Sequence, residues 1–272
     1  MSFGAPLGIA GVGLIGGSIA LRARRAGISV VGFDRDADAT ALADSAAQSL
    51  EELASRCRTV VLALPLDATL EAIDALRSRA SSGVELVMDV ASVKTPVMQR
   101  AANWAPFVGT HPIAGAERGG AAHARQDLFV ERTWTYVPSL PERDSHVCSF
   151  IEAMGARPFP IDAEQHDRAL ALTSHLPQLI STTLGAMLEQ SGICAELGGT
   201  GLASTLRLAG SPWALWETIL RANASAVGAA AREFAERLGA LTQELSAGEL
   251  PRTASSFESA NRAYEKFSRE PQ

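Results

Sequence analysis

Short apolar runs alternate with amphipathic runs through the first 160 residues. LGIAG (7–11), SVVGFD (29–34), TVVLALP (59–65) and ELVMDVAS (85–92) are apolar almost throughout. That pattern predicts parallel strands covered on both faces. FVGTHP (107–112) reads as the next strand, TWTYVP (133–138) as another, and RPFPI (157–161) as a last short one. Between them, SIALRARRAG (18–27), DATLEAIDALRSRA (67–80) and SVKTPVMQRAANW (92–104) repeat apolar residues at helical spacing. Strands alternating with helices predict a doubly wound α/β sheet.

Strand signals stop near residue 162. Residues 163–192 form one long helical run, and residues 213–245 a longer one. In the latter, Trp216, Ile219, Leu220, Val227, Phe234, Leu238, Leu241 and Leu245 recur at helical spacing and read as a packing stripe. SFESANRAYEKFSRE (256–270) is a final, partly exposed helix. The expected division is residues 1–162 for the α/β domain and 163–272 for a helical domain. Helices of this length suit pairing between subunits, so a homodimer is expected.

The first strand runs straight into GVGLIGG (11–17), then a helix, then a strand ending in Asp34, 18 residues after Gly16. Strand, GxGxxG, helix, strand and acid in that order mark a dinucleotide-binding unit of the Rossmann type. Gly11 allows the tight turn, Gly13 lets a pyrophosphate approach the backbone, and Gly16 lets helix and sheet pack closely. The helix N-terminus offers free N–H groups to phosphate, with Leu14 and Ile15 on the same turn. Leu64 and Pro65, ending the strand 59–65, join this cofactor set. Asp34 can accept from an adenosine ribose and repels a 2′-phosphate, so NAD is favoured and NADP is possible. Arg35 beside it softens that choice. Ligands bind beyond the carboxyl ends of such strands. Ser92 and His111 are both expected there, facing the nicotinamide.

Composition narrows the function classes. A formal charge of −6 disfavours nucleic acid or an anionic membrane as partner. The uncharged stretch 3–21 followed by RARR resembles a signal anchor, but six glycines lie in 4–17, so it reads as strand, turn and helix. No membrane role is expected. Cys57, Cys148 and Cys194 lie far apart with no CxxC pair, which indicates neither zinc nor a disulfide framework and fits a reducing cytoplasm. Lysine occurs only at 94 and 266. Residues 163–245 therefore lack the lysine that β-hydroxyacid dehydrogenases place on the first long helix of their second domain.

Five segments occur in order: GVGLIGGSIAL (11–21), DVASVK (89–94), GTHPIAGAERGG (109–120), TSHLPQLI (173–180) and TLRLAGSPWALW (205–216). Together they resemble the prephenate/arogenate dehydrogenase family of tyrosine biosynthesis, over nearly the whole chain. The resemblance implies NAD(P)-dependent oxidative decarboxylation of prephenate to 4-hydroxyphenylpyruvate, or of arogenate to tyrosine, by a homodimer. In that reaction hydride leaves C4, the C4 oxygen loses its proton, and aromatisation drives loss of CO₂, so no metal is needed. An aminodeoxyprephenate dehydrogenase, or a non-catalytic NAD-binding protein, stands as the alternative.

By the same resemblance His111 is the acceptor or general base at the C4 hydroxyl. Pro112 restricts His111 to extended backbone and helps aim its ring. Ser92 acts on the same hydroxyl, or serves as N-cap of the helix 92–104. His175 contacts substrate; alternatively it satisfies the backbone carbonyl that Pro177 leaves unpaired in its helix. Arg207 is the carboxylate anchor, with a planar fork that binds bidentately; a surface ion pair is the alternative. Trp216 lines the pocket or packs in a core. Glu117 pairs with a basic group or is a solvated loop acid, and with Glu131 is an acid that would favour the ammonium of arogenate. Two positions depart from the family pattern: Ala116 where many relatives carry threonine, and Ser204 where some carry aspartate. At this length neither a fused chorismate mutase nor a regulatory ACT domain is expected.

Overall fold

The computed structural model describes residues 6–78, 83–115 and 119–268. Six strands form one all-parallel sheet: β1 (Leu7–Ala10), β2 (Val30–Phe33), β3 (Ser45–Ala46), β4 (Thr59–Leu62), β5 (Leu86–Asp89) and β6 (Phe107–Val108). Their order is β3-β2-β1-β4-β5-β6. This is the dinucleotide-binding order, and it reverses between β1 and β4. The helices of this part are α1 (Leu14–Arg25), α2 (Leu50–Arg56), α3 (Leu66–Arg77), α4 (Thr95–Arg100) and α5 (Pro141–Ala153).

Continuously apolar strands are explained by two cores. Successive side chains point to opposite faces. Ile9, Val61, Leu86 and Met88 pack with Ile19 and Ala23 of α1 and with Val147, Phe150 and Ile151 of α5. Ala10, Val60, Leu62 and Val87 pack on the other face with Leu53 of α2, Ile73 and Leu76 of α3 and Val97 of α4. β1, β4 and β5 are buried at every position, while the edge strand β3 is exposed.

The expected strand 107–112 divides at Gly109. β6 ends the parallel sheet, and β7 (Thr110–Pro112) starts a second sheet with β8 (Thr133–Tyr136) and β9 (Arg157–Pro160). β7 runs antiparallel to β8, and β8 parallel to β9. A Cβ at 109 would stand 2.5 Å from Met98 Sδ, so glycine leaves room there for the methionine side chain. His111 is therefore the middle residue of a strand in the smaller sheet, opposite Thr135, rather than the end of a parallel strand. The helix expected over 92–104 is shorter, Thr95–Arg100, and Ser92 is not its cap.

By its internal contacts the chain forms two units. One comprises Met1–Asp167 with Ala214–Ala222, the other Arg168–Trp213 with Asn223–Gln272. The run 163–192 is not one regular helix. It consists of α6 (Ala163–Leu170), a π-helical turn over Ala171–His175 and α7 (Leu176–Ser191). Pro177 in the first turn of α7 has no N–H to give and widens the preceding turn. After α8 (Thr200–Leu206), the run 213–245 is likewise interrupted, into α9 (Trp213–Ala222) and α10 (Ala224–Ala247). Buried Asn223 breaks it, with its amide Nδ2 3.3 Å from His175 Nδ1. Within the chain the apolar stripe of this run is largely uncovered. Val227 is buried, whereas Phe234, Leu238 and Leu245 are exposed. It is thus not a core stripe of the single chain. The last helix, α11 (Pro251–Phe267), is exposed along its length. No helix among the described residues is long and apolar enough to cross a membrane.

Candidate active site

The glycine loop is built by close backbone approach. Gly11 has φ +89°, and a Cβ there would lie 2.3 Å from the Ala63 carbonyl oxygen. A Cβ on Gly16 would stand 1.8 Å from the Gly11 carbonyl oxygen. At Gly13, by contrast, nothing lies within 4 Å of the added carbon. Two glycines thus allow the turn to form, and the third keeps open the space in front of the α1 N-terminus. Gly13 caps that helix without a side-chain bond, and its first turn, with Leu14 and Ile15, has no acidic residue. Unpaired N–H groups and a positive dipole end face that space, which is what a pyrophosphate requires.

Asp34, just past β2, is half-buried. One carboxylate oxygen accepts from Val12 N–H at 2.6 Å, the other from Asp36 N–H at 2.9 Å. It therefore ties the end of β2 to the glycine loop. Arg35 points to solvent. Asp36 and Asp38 follow, so carboxylates outnumber Arg35 at this strand end and disfavour a 2′-phosphate. Leu64 lies beside Gly11, its Cδ2 3.1 Å from the added carbon, and Pro65 caps α3. The residues present fit NAD.

Below His111 lies a buried polar cluster. Asp89, ending β5, accepts from Ala91 N–H at 2.9 Å and Thr110 N–H at 3.0 Å, and forms an ion pair with Lys94. Lys94 Nζ also donates to the Thr110 carbonyl at 2.7 Å. The Thr110 hydroxyl donates to the Asp89 carbonyl and accepts from Trp134 Nε1 at 2.9 Å. Thr110 is thereby held at its N–H, carbonyl and hydroxyl, which immobilises the backbone leading into His111. Burial pushes the Lys94 ammonium below the ordinary lysine range, against the pull of Asp89 and then Asp167. The scarce lysine has a structural place here.

The His111 ring, half-buried, meets a second histidine. His111 Nδ1 lies 2.9 Å from His166 Nε2, with the rings edge to face. His166 Nδ1 lies 2.8 Å from Asp167 Oδ1. Asp167 also accepts from the N–H groups of Lys94 and Thr95, each at 2.7 Å. It caps α4 from 72 residues away, in the place expected for Ser92. Burial pushes the Asp167 carboxyl upward, but hydrogen bonds from His166, Lys94 and Thr95 outweigh it and hold it below the ordinary range. Ser92 itself is half-buried, between β5 and α4.

His166 and Asp167 were not singled out in the sequence. The available signal was a His-Asp pair nine residues before His175 in a chain of five histidines. Its use depends on contacts with residues 55 to 73 positions away, which no local pattern reveals.

The other expected residues are carried by other elements. His175 is buried in the π-helical turn of the second unit, with Asn223 as neighbour. Arg207 opens the 3₁₀ turn Arg207–Gly210 and is exposed. Trp216 is half-buried on α9. Glu117 and Ala116 lie outside the described residues. Glu131 pairs with Arg157 at 3.0 Å on the surface, so its charge is already matched. Ser204 is exposed on α8.

Residues 18–158 match the family model for the prephenate dehydrogenase nucleotide-binding domain, and residues 162–259 that for its dimerization domain. A Streptomyces niveus protein described as a probable prephenate dehydrogenase is 30% identical over 257 residues, covering 87% of this chain and 68% of the relative. A Bacillus subtilis prephenate dehydrogenase is 30% identical over 237 residues, covering 79% of this chain and 63% of the relative. The chain thus spans about two thirds of the length of these curated relatives. The crystal structure of Synechocystis arogenate dehydrogenase superposes with a TM-score of 0.83 at 28% identity, covering 96% of this chain and 99% of that one.

Proposed function

This chain belongs to the prephenate dehydrogenase family, and on that premise we propose that it is an NAD-dependent prephenate dehydrogenase. The reaction is oxidative decarboxylation of prephenate to 4-hydroxyphenylpyruvate and CO₂. The observation that supports it most is His111, held rigidly on a clamped strand with a ring nitrogen directed by His166. Bound NAD supplies a hydride acceptor. The chain has to supply a proton acceptor at the C4 hydroxyl, anchors for carboxylates, and alignment.

His111 takes the hydroxyl proton on Nε2. Ser92 serves the same hydroxyl, since helix capping falls to Asp167. Arg207 anchors a carboxylate, and His175 and Trp216 are further substrate contacts. Gly11, Gly13, Gly16 and Asp34 hold the cofactor, with Leu14, Ile15, Leu64 and Pro65 beside it and Arg35 at its ribose end. The exposed apolar positions on α10 and α11 suit a second copy of the chain, so the enzyme is read as a homodimer. A cytoplasmic location follows from its soluble substrate and cofactor. The arogenate dehydrogenase of similar structure makes arogenate the second candidate substrate. The surface pairing of Glu131 with Arg157 removes one of the two acids that would favour its ammonium.

Steady-state rates with prephenate and with arogenate, each with NAD and NADP, test this reading. Prephenate with NAD should give the highest kcat/KM. Reduction of neither cofactor by either compound would overturn it.

A further inference from the structure

A general base of the imidazole type works only if the nitrogen facing substrate lacks a proton. In water an imidazole favours the Nε2–H tautomer, which would turn the wrong atom toward a hydroxyl at Nε2. His111 needs something to reverse that preference. Asp167 is the fixed point. A carboxylate held below its ordinary range can only accept hydrogen bonds. The ring nitrogen 2.8 Å from it, His166 Nδ1, therefore carries a proton. A neutral imidazole has one ring proton, so His166 Nε2 is a bare acceptor. It lies 2.9 Å from His111 Nδ1, which must then be the donor. His111 Nε2 then carries the lone pair rather than the proton.

We propose that Asp167 and His166 form a relay that fixes His111 as its Nδ1–H tautomer, making His166 and Asp167 positioning residues for the proton acceptor. The relay is also closed on itself. Asp167 holds the N–H of Lys94, and the Lys94 side chain holds the carbonyl of Thr110, next to His111. Asp89 joins Lys94 to the Thr110 N–H. Ring and backbone of His111 are thus referred to the same frame. When His111 takes a proton on Nε2, its Nδ1–H bond to His166 is kept. The new positive charge then stands two hydrogen bonds from the Asp167 carboxylate. No group has to reorient during the transfer.

The inference rests on His111 being the acceptor, but its test needs no substrate. Protein labelled with ¹⁵N in its histidine rings is observed near pH 8, with His111 assigned by comparison with His111→Asn. The expected spectrum shows His111 protonated at Nδ1 and bare at Nε2. A His111 protonated at Nε2 would overturn the proposal, including the case of a doubly protonated His166 donating to it.

Two variants extend the test. His166→Phe should shift His111 toward the Nε2–H form and lower kcat about 100-fold, with KM and NAD affinity within about threefold. His166→Gln, which can accept from His111 and donate to Asp167, should restore the Nδ1–H form and most of kcat. Equal loss of kcat in both variants with the tautomer unchanged would refute the relay. If His166→Phe fails to fold, the wild-type tautomer and the Gln variant still decide. An inactive wild-type enzyme with the Nδ1–H tautomer would count against the assigned reaction and leave the relay standing.

Discussion

Lys94→Met is the sharpest probe of the buried cluster. Methionine matches the lysine stem in length, so no large cavity forms, and what is removed is the ammonium. Lys94 and Asp89 are both about fully buried, at 1% and 0% side-chain exposure. Removing one partner of such a pair costs about 3–5 kcal/mol. Asp89 keeps the N–H groups of Ala91 and Thr110, so the lower end, about 3 kcal/mol, applies to the carboxylate. The Thr110 carbonyl loses its lysine donor, adding about 1 kcal/mol. The expected total is about 4 kcal/mol. With a urea m-value of about 2–3 kcal/mol/M, the midpoint should fall by about 1.3–2 M. Urea unfolding followed by tryptophan fluorescence reads this, since Trp134 packs against Phe129 and Phe150 and donates to Thr110 in the same cluster. Lys266→Met, on the exposed last helix, is the control and should change stability by less than about 0.5 kcal/mol. In the double variant with Asp89→Asn the two losses should be far from additive, because both remove the same pair. A midpoint shift below about 0.3 M for Lys94→Met would refute the view that this ion pair anchors the strand of His111.

Four further outcomes follow from the geometry. Gly16→Ala should destabilise the first unit strongly, because its Cβ meets a backbone oxygen; Gly13→Ala should keep the urea midpoint but weaken NAD binding, measured by fluorescence titration, by filling the space kept for phosphate. Asp34→Ala should raise the Kd for NAD by about 10- to 100-fold, the loss of a charged hydrogen bond, and narrow the preference over NADP; an unchanged ratio would remove Asp34 from cofactor choice. The Asp167 carboxyl lies below its ordinary value in the folded chain. Its stabilisation is therefore complete above the unfolded value near 4 and is lost as pH falls through the lower folded value. The midpoint gap between wild type and Asp167→Asn should be largest at neutral pH and shrink below about pH 4. Arg207→Ala should raise KM for prephenate, with kcat less affected, by about 2–3 kcal/mol of lost binding; unaltered KM would mean another residue holds the carboxylate.

Local pattern carried the reading far in the first half of the chain. A strand buried on both faces has to be apolar, and a dinucleotide loop has to be glycine where backbones meet. β1, the glycine loop, α1, β2 and Asp34 were therefore legible as a unit. The division of 107–112 at Gly109 was not, because it depends on which sheet the strand of His111 joins in space. The second half was legible as helices, but not where they are interrupted. Helical periodicity continues through Pro177 and Asn223, while the π-helical turn and the break at 223 come from the missing N–H of Pro177 and from the buried side chain of Asn223.

By itself the sequence determined the α/β-then-helical order, the nucleotide cradle and the family, because these depend on periodicity and on residue types at short fixed spacing. Tertiary structure alone decided how His111 is held and which group its Nδ1 meets. His111, Asp89, Lys94, Thr110, His166 and Asp167 span 78 positions from Asp89 to Asp167. A hydrogen bond depends on distance and direction in space, and chain separation on that scale contains neither.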